Sequence, residues 1–179
     1  MESRFADATR RLRVGFSTSA SQTLALHQQL HFWQNERGGV LLASSVGASD
    51  GVVEVVRVTP PHRHDRAGWY WLKLDHARVL NEIQGAFDLG LHFVGYWHTH
   101  PQARPQLSSQ DVDAIMPAIR GAGLDLQRLL MVVVGGRRRA LALDVCAVDC
   151  ATGAWERLVP EPVSRSVDAE LDIEKGGKG

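Results

Sequence analysis

Gly95-Tyr96-Trp97-His98-Thr99-His100-Pro101, continued by Gln102 to Leu107 and closed by Ser108-Ser109-Gln110-Asp111, is the stretch that decides how the rest of the chain is read. Phe93 to Trp97 has the composition of a strand. If that strand runs on to His100, the two histidines stand two apart, and both imidazoles leave one face of the sheet toward one point. Pro101 and Pro105 stiffen the return of the chain. Ser108 is suited to cap a helix whose apolar residues Val112, Ile115, Met116 and Ile119 recur at helical spacing. Asp111 then falls in the first turn, beside the apolar stripe, with its carboxylate able to point to the sheet. Two imidazoles and a carboxylate are a three-ligand set that leaves a fourth tetrahedral position to water, as in catalytic zinc sites. Ser108 to Asp111 also has the form of a capping box, in which the acid bonds back to the cap. The coincidence with two same-face histidines favours the metal reading. Pro117 costs the helix a bond and crowds its preceding turn, so a kink or an early end is expected there.

Outward from this stretch, Leu129 to Val134 is a continuous apolar run rich in β-branched residues, suited to a strand covered on both faces. Leu141 to Val148 alternates like its hairpin partner, with Arg137-Arg138-Arg139 in the turn. Toward the N-terminus, Leu12, Val14 and Phe16 alternate with polar neighbours or glycine, as in a half-buried strand. Ser17 to Ser21 offers caps for a helix expected to reach Trp33, although Leu24, Leu26, Leu30 and Phe32 fit its period only loosely. Gly38-Gly39 breaks that pattern. Val40 to Ala43 and Val52 to Val58 read as a hairpin turning at Gly47 to Gly51. Pro60-Pro61 opens a polar loop through Gly68, and Trp69 to Leu74 reads as extended. From Asp75 a helix is expected, with Val79, Leu80, Ile83, Ala86 and Phe87 on one side and Gly90 at a left-handed C-terminal cap. The fold class is therefore mixed α/β, a mixed sheet with helices.

The chain has 179 residues, 44% of them apolar, enough for one core of ordinary size. Lys plus Arg and Asp plus Glu number 20 each, so no overall field draws it to nucleic acid or to an anionic membrane. No stretch approaches the ~18 apolar residues of a membrane span, and Met1 to Arg13 has no apolar signal core, so a cytoplasmic location is expected. Cys146 and Cys150 read as buried thiols rather than a zinc half-site or a disulfide. Past Trp155 the prolines, serines and glutamates offer little to bury, and a loose tail follows. Gly176-Gly177 belongs to that tail, since Lys178 and Gly179 follow it. His62 and His64 lie in a loop without a well-spaced acid beyond Asp65, and read as a mobile border of the site rather than a second metal site.

The central spacing resembles the JAMM signature of the JAB/MPN/Mov34 zinc metallopeptidases: an upstream glutamate, His-x-His-Pro, six residues, then Ser-x-x-Asp. The upstream match is Glu36 in Glu36-Arg37-Gly38-Gly39-Val40-Leu41-Leu42, which resembles the Glu-x-Gly-Gly strand opening of prokaryotic members. The resemblance spans about Leu12 to Val148. It implies a curved mixed sheet flanked by helices, of the cytidine-deaminase-like architecture, with a peptidase domain over residues 1–159 and a flexible tail over 160–179. One zinc ion per chain would be held by His98, His100 and Asp111. Glu36 would carry the proton from water to the leaving amine, with Glu54 as second candidate, and Ser108 would steady the oxyanion. The implied reaction is cleavage after the C-terminal glycine of a ubiquitin-like protein or its conjugates. More loosely, Val58 to Asp75 and Gly95 to His100 resemble short bacterial JAMM proteins encoded beside E1-like and E2-like enzymes in antiphage operons, which implies such partners. Two other readings stand beside this one: a non-catalytic scaffold, and a zinc hydrolase of a small amide or amino-acid adduct. A zinc nucleobase deaminase is set aside, because its Pro-Cys-x-x-Cys ligand pair is missing from the sequence.

Overall fold

The structure, a computed structural model, describes residues 3–46, 51–121, 126–137 and 140–162. In chain order these form β1 (Ser3–Ala6), β2 (Arg13–Phe16), α1 (Thr18–Leu26), β3 (Gly38–Val46), β4 (Val52–Val58), β5 (Arg66–Gly68), β6 (Trp71–Lys73), α2 (His76–Phe87), β7 (His92–Thr99), α3 (Ser109–Gly121), β8 (Arg128–Arg137), β9 (Ala140–Asp149), β10 (Trp155–Arg157) and β11 (Val159–Pro160). Nine strands make one mixed sheet in the order β10-β9-β8-β7-β3-β4-β2-β1-β11, and β5 with β6 forms a separate hairpin. Two pairings, β7 with β8 and β2 with β4, are parallel; the others are antiparallel. This is the α/β architecture expected from the sequence, a mixed sheet carrying three helices.

Strand β8 shows how the layers close. Leu129 to Gly136 are all buried. Leu130, Val132 and Val134 pack with Leu24 of α1, Phe16 and Trp97, whereas Leu129, Met131 and Val133 pack with Val112, Met116 and Ile119 of α3. Alternate residues of one strand thus serve opposite faces, which is why the run is apolar without a break. Helix α2 covers Val40, Leu42 and Phe93 through Val79 and Ala86. It is capped by Asp75, whose side chain accepts the Arg78 N–H, and at its other end Gly90 adopts a φ of +74°. The cap expected at Gly90 is there.

Several local expectations need correction. Helix α1 ends at Leu26, not near Trp33, because Gln28 and Gln29 are buried and give their amides to other segments, while Leu30, Phe32 and Trp33 point to solvent. Gly38 and Gly39 do not interrupt the chain but open β3, paired with His98 and Trp97. A side chain at Gly38 would collide with Leu72 and the Trp97 carbonyl; one at Gly39 would collide with Thr59 and the Trp97 indole. Each glycine therefore admits a close neighbour on one face of the sheet. The extended reading from Trp69 holds only from Trp71, since Trp69 and Tyr70 form the exposed turn between β5 and β6. Helix α3 neither ends nor shortens at Pro117 but continues to Gly121. Strand β1 and the edge strands β10 and β11 were not foreseen. Pro160, placed in the tail by the sequence reading, pairs with Phe5, and the Glu161 N–H bonds to the Arg4 carbonyl. The turn residues 47–50, Arg138-Arg139 and the tail from 163 with Gly176-Gly177 lie outside the described residues.

Candidate metal centre

The centre is built where β7 ends between β3 and β8. Along β7, Trp97 and Thr99 face the side of α1, and Tyr96, His98 and His100 face the opposite side, as the period of two requires. Trp97, the largest fully buried residue, donates its indole N–H to the Thr59 carbonyl at 3.0 Å and so fixes the rotation of the strand. The His100 N–H donates to the Val134 carbonyl at 2.9 Å, extending the parallel β7–β8 ladder past the last strand residue. His98 and His100 consequently bring their Nε2 atoms within 3.2 Å of each other.

Asp111 arrives from the first turn of α3. Its Oδ2 accepts the N–H of Ser108 at 2.8 Å and its hydroxyl at 2.7 Å, while the Asp111 N–H donates to Ser108 Oγ at 3.3 Å. That is the capping box anticipated from the sequence, and it leaves Oδ1 directed at the imidazoles. Asp111 Oδ1 stands 3.4 Å from His98 Nε2 and 3.8 Å from His100 Nε2. Ligand atoms about 2.0–2.1 Å from a tetrahedral ion lie roughly 3.3–3.4 Å apart, so the three donors have the spacing of a four-coordinate metal. These three residues form the one cluster of His, Cys, Asp and Glu with metal-holding geometry among the described residues. The box and the ligand set are compatible because each oxygen of one carboxylate serves one of them. A hydroxyl committed to Asp111 in this way cannot also donate elsewhere without changing partner.

Glu36 enters from the segment before β3. Arg37 and Thr99 exchange two hydrogen bonds: the Thr99 N–H donates to the Arg37 carbonyl and the Arg37 N–H to Thr99 Oγ1, both at 2.9 Å. The Glu36 N–H donates to the Gly68 carbonyl at 2.9 Å. Glu36 lines with His98 and Asp111 a cleft of about 470 Å³, to which Trp71, Leu72, Ala114 and Ile115 also contribute. Burial pushes its carboxyl up to about 7, with His100 opposing the rise and Asp111 adding to it. Asp111 behaves oppositely. Burial alone would raise it, but hydrogen bonds from His100, His98 and Ser108 hold it well below the usual carboxylate range. Two carboxyls lining one cleft are thus shifted in opposite directions, Asp111 toward the anion and Glu36 toward the protonated form.

Residues 18–144 match the profile of a family described as prokaryotic homologs of the JAB domain. The chain belongs to this family. Among solved structures, the JAB domain here is similar to the solution structure of protein DSY2949 from Desulfitobacterium hafniense, at 15% identity and a TM-score of 0.57 over 79% of this chain and 87% of that one. At that identity the likeness concerns the fold. No curated protein matches the sequence.

Other candidate residues lie apart from the centre. The Glu54 carboxylate rests across Gly15 on β2 and does not line the cleft. The loop with His62 and His64 does not line it either, and it is tied down: Asp65 accepts the His62 and Asp75 N–H groups and pairs with the buried Arg78 guanidinium at 2.9 Å. Cys146 is buried and Cys150 half-buried, and both are free. Burial, with Asp144 beside it, pushes the Cys146 thiol up to about 12, so it is no nucleophile. Sequence reasoning passed over Asp144, which braces the approach to α3. It accepts the Leu107 N–H at 2.8 Å and pairs with Arg157 of β10 at 2.5 and 3.0 Å. An acid amid the apolar alternation of β9 was the available signal. Among the described residues, no helix is long and apolar enough to cross a membrane.

Proposed function

We propose that this JAB domain is a zinc-dependent peptidase that cleaves after the C-terminal glycine of a ubiquitin-like protein, releasing it from a conjugate or a precursor. The observation that carries the reading is the cluster of His98, His100 and Asp111 at ligand spacing, two of whose members, His98 and Asp111, line one cleft with a buried Glu36. Zinc bound there would supply a water acidic near pH 7 and polarise the scissile carbonyl. His98 and His100 would offer it their Nε2 atoms, and Asp111 its Oδ1. Glu36, a buried carboxyl in the same cleft as His98 and Asp111, takes the proton of the attacking water and returns it to the departing amine. Ser108 keeps the Asp111 carboxylate in line, and its hydroxyl can serve the oxyanion when it exchanges partner. Trp71, Leu72 and Ala114 line the same cleft and give an extended backbone apolar surface to lie against.

The test is mass spectrometry of ubiquitin-like modifiers carrying a C-terminal extension. Cleavage directly after the terminal glycine is expected, with Gly→Leu at that position costing far more than changes beyond the bond. Equal cutting of unstructured peptides, without preference for glycine, would replace this reading with that of a general metallopeptidase. Turnover of small amides alone would favour the small-substrate hydrolase.

A further inference from the structure

Behind the sheet, on the face opposite the imidazoles, a fully buried glutamine connects the segment of Glu36 to the strand of the histidines. The side chain of Gln29 is completely shielded from solvent, yet every one of its polar atoms is used. Its Nε2 donates to the Gln34 carbonyl at 2.6 Å and to the Trp69 carbonyl at 3.5 Å, and its Oε1 accepts from the Thr99 hydroxyl at 3.3 Å. The polarity of this chain has one solution. Two of the partners are carbonyls, so the amide nitrogen must face them, and the Thr99 oxygen already accepts the Arg37 N–H, so its proton is free to go to Gln29. The three anchor points are telling. Gln34 lies two residues before Glu36, Trp69 directly follows the Gly68 that accepts the Glu36 N–H, and Thr99 lies between the two histidines.

We propose that Gln29 is the positioning residue for Glu36: one buried amide sets the placement of the proton-carrying carboxylate relative to the His98 and His100 pair. The proposal rests on the reading of Glu36 as proton carrier. Gln29 touches neither the metal ligands' ring nitrogens nor the cleft; it acts through Thr99, Gln34 and Trp69. Geometry requires such a device. Residues 27–37 have no helix or strand of their own, and the carboxylate must be held within a fraction of an ångström of its working place although it comes from a loop. A buried amide is suited to this, since losing one bond leaves the partner groups unpaired in a dry interior, so the arrangement is closed to partial alternatives.

The experiment uses the full chain loaded with zinc. Gln29→Met keeps length and removes all three bonds. Zinc content of about one per chain should persist, while kcat falls about 10-fold or more at an unchanged KM. The decisive comparison repeats the substitution in a Glu36→Gln background, where it should cost less than about 2-fold, because a residue acting through Glu36 has nothing left to place. A purely structural role would cost the same in both backgrounds, and that result, or normal turnover of Gln29→Met, overturns the proposal. Hydrogen exchange gives a readout independent of turnover. The Glu36 and Arg37 amides should exchange at least about 10-fold faster in Gln29→Met, with those of the β8 core unchanged. Unchanged exchange overturns the proposal even if no substrate is ever found. Loss of the peptidase reading alone would instead show as an inactive wild-type protein with this exchange pattern intact. If Gln29→Met does not fold, the shorter Gln29→Leu, which likewise makes none of the three bonds and leaves the Arg37–Thr99 pair intact, is held to the same outcomes.

Discussion

Replacing Glu36 by Gln should change how the metal-free protein responds to pH, and the direction follows from burial. The folded carboxyl keeps its proton to about pH 7, against an ordinary value of 4.5. Between those two values the folded state holds a proton that the unfolded chain has released. Stability therefore falls as pH rises through this window, by up to about 1.4 kcal/mol per pH unit from this one group. The full window would give about 3 kcal/mol. Water at the mouth of the cleft screens the group, so a loss of about 1–2 kcal/mol is the reasonable expectation. Glu36→Gln removes the titration. Urea unfolding of chelator-treated protein at intervals from pH 4.5 to 7.5 should give wild-type values that decline relative to the variant by that amount. Zinc should flatten the difference, because a nearby cation favours the carboxylate. Parallel curves for the two metal-free proteins would refute the argument, and with it the claim that Glu36 is held in a drying environment.

Three further outcomes are expected. Zinc analysis of purified protein should give about one ion per chain, sharply reduced by Asp111→Ala and absent from the His98→Ala, His100→Ala double variant; full zinc in the double variant would place the metal elsewhere. Ser108→Ala should cost about 1 kcal/mol of stability through the lost cap and about 10-fold or more in zinc affinity through the loosened Asp111, measured by denaturation and by competition with a chelating dye. Gly95→Ala should destabilise the fold by about 3 kcal/mol or more in urea unfolding, since Gly95 has a φ of +156° and an added carbon would strike the Leu130 backbone across the parallel seam.

Much of this centre could be read from the sequence because its parts are short-range. His98 and His100 share a face by the strand period, and Ser108 to Asp111 is one helical turn. The fully covered β8 was legible as an unbroken apolar run. What was obscure depends on distant partners. Nothing near Gln29 indicates that its amide will be consumed by residues 34, 69 and 99, and a glutamine after a helical run ordinarily reads as more helix. The paired glycines at 38 and 39 looked like a break because the reasons for them, Leu72 and the Trp97–Thr59 bond, lie 20 to 60 residues away. The three-residue and shorter edge strands carry too few residues for any period. Glu36 itself was found by resemblance; its position beside the imidazoles follows from the pairing of β3 with β7, a register that no local pattern encodes.

The brace at Asp144 bears on how the protein can be trimmed. The family match stops at residue 144, and a truncation drawn there would look like a natural boundary. It would remove Arg157 and leave at the new terminus a carboxylate that is almost entirely buried, still holding the Leu107 N–H but stripped of its counter-charge. It would also remove Val145, Cys146, Ala147 and Val148, which pack in both apolar clusters beside β8, so the sheet edge and the support of α3 would loosen together. A shortened version intended for crystals or spectroscopy should therefore keep the chain through Pro162, just past β11, which pairs with β1 through Val159 and Pro160. Measured against that version, the cut at 144 becomes an assay of how far the outer edge of the sheet governs the placement of Asp111.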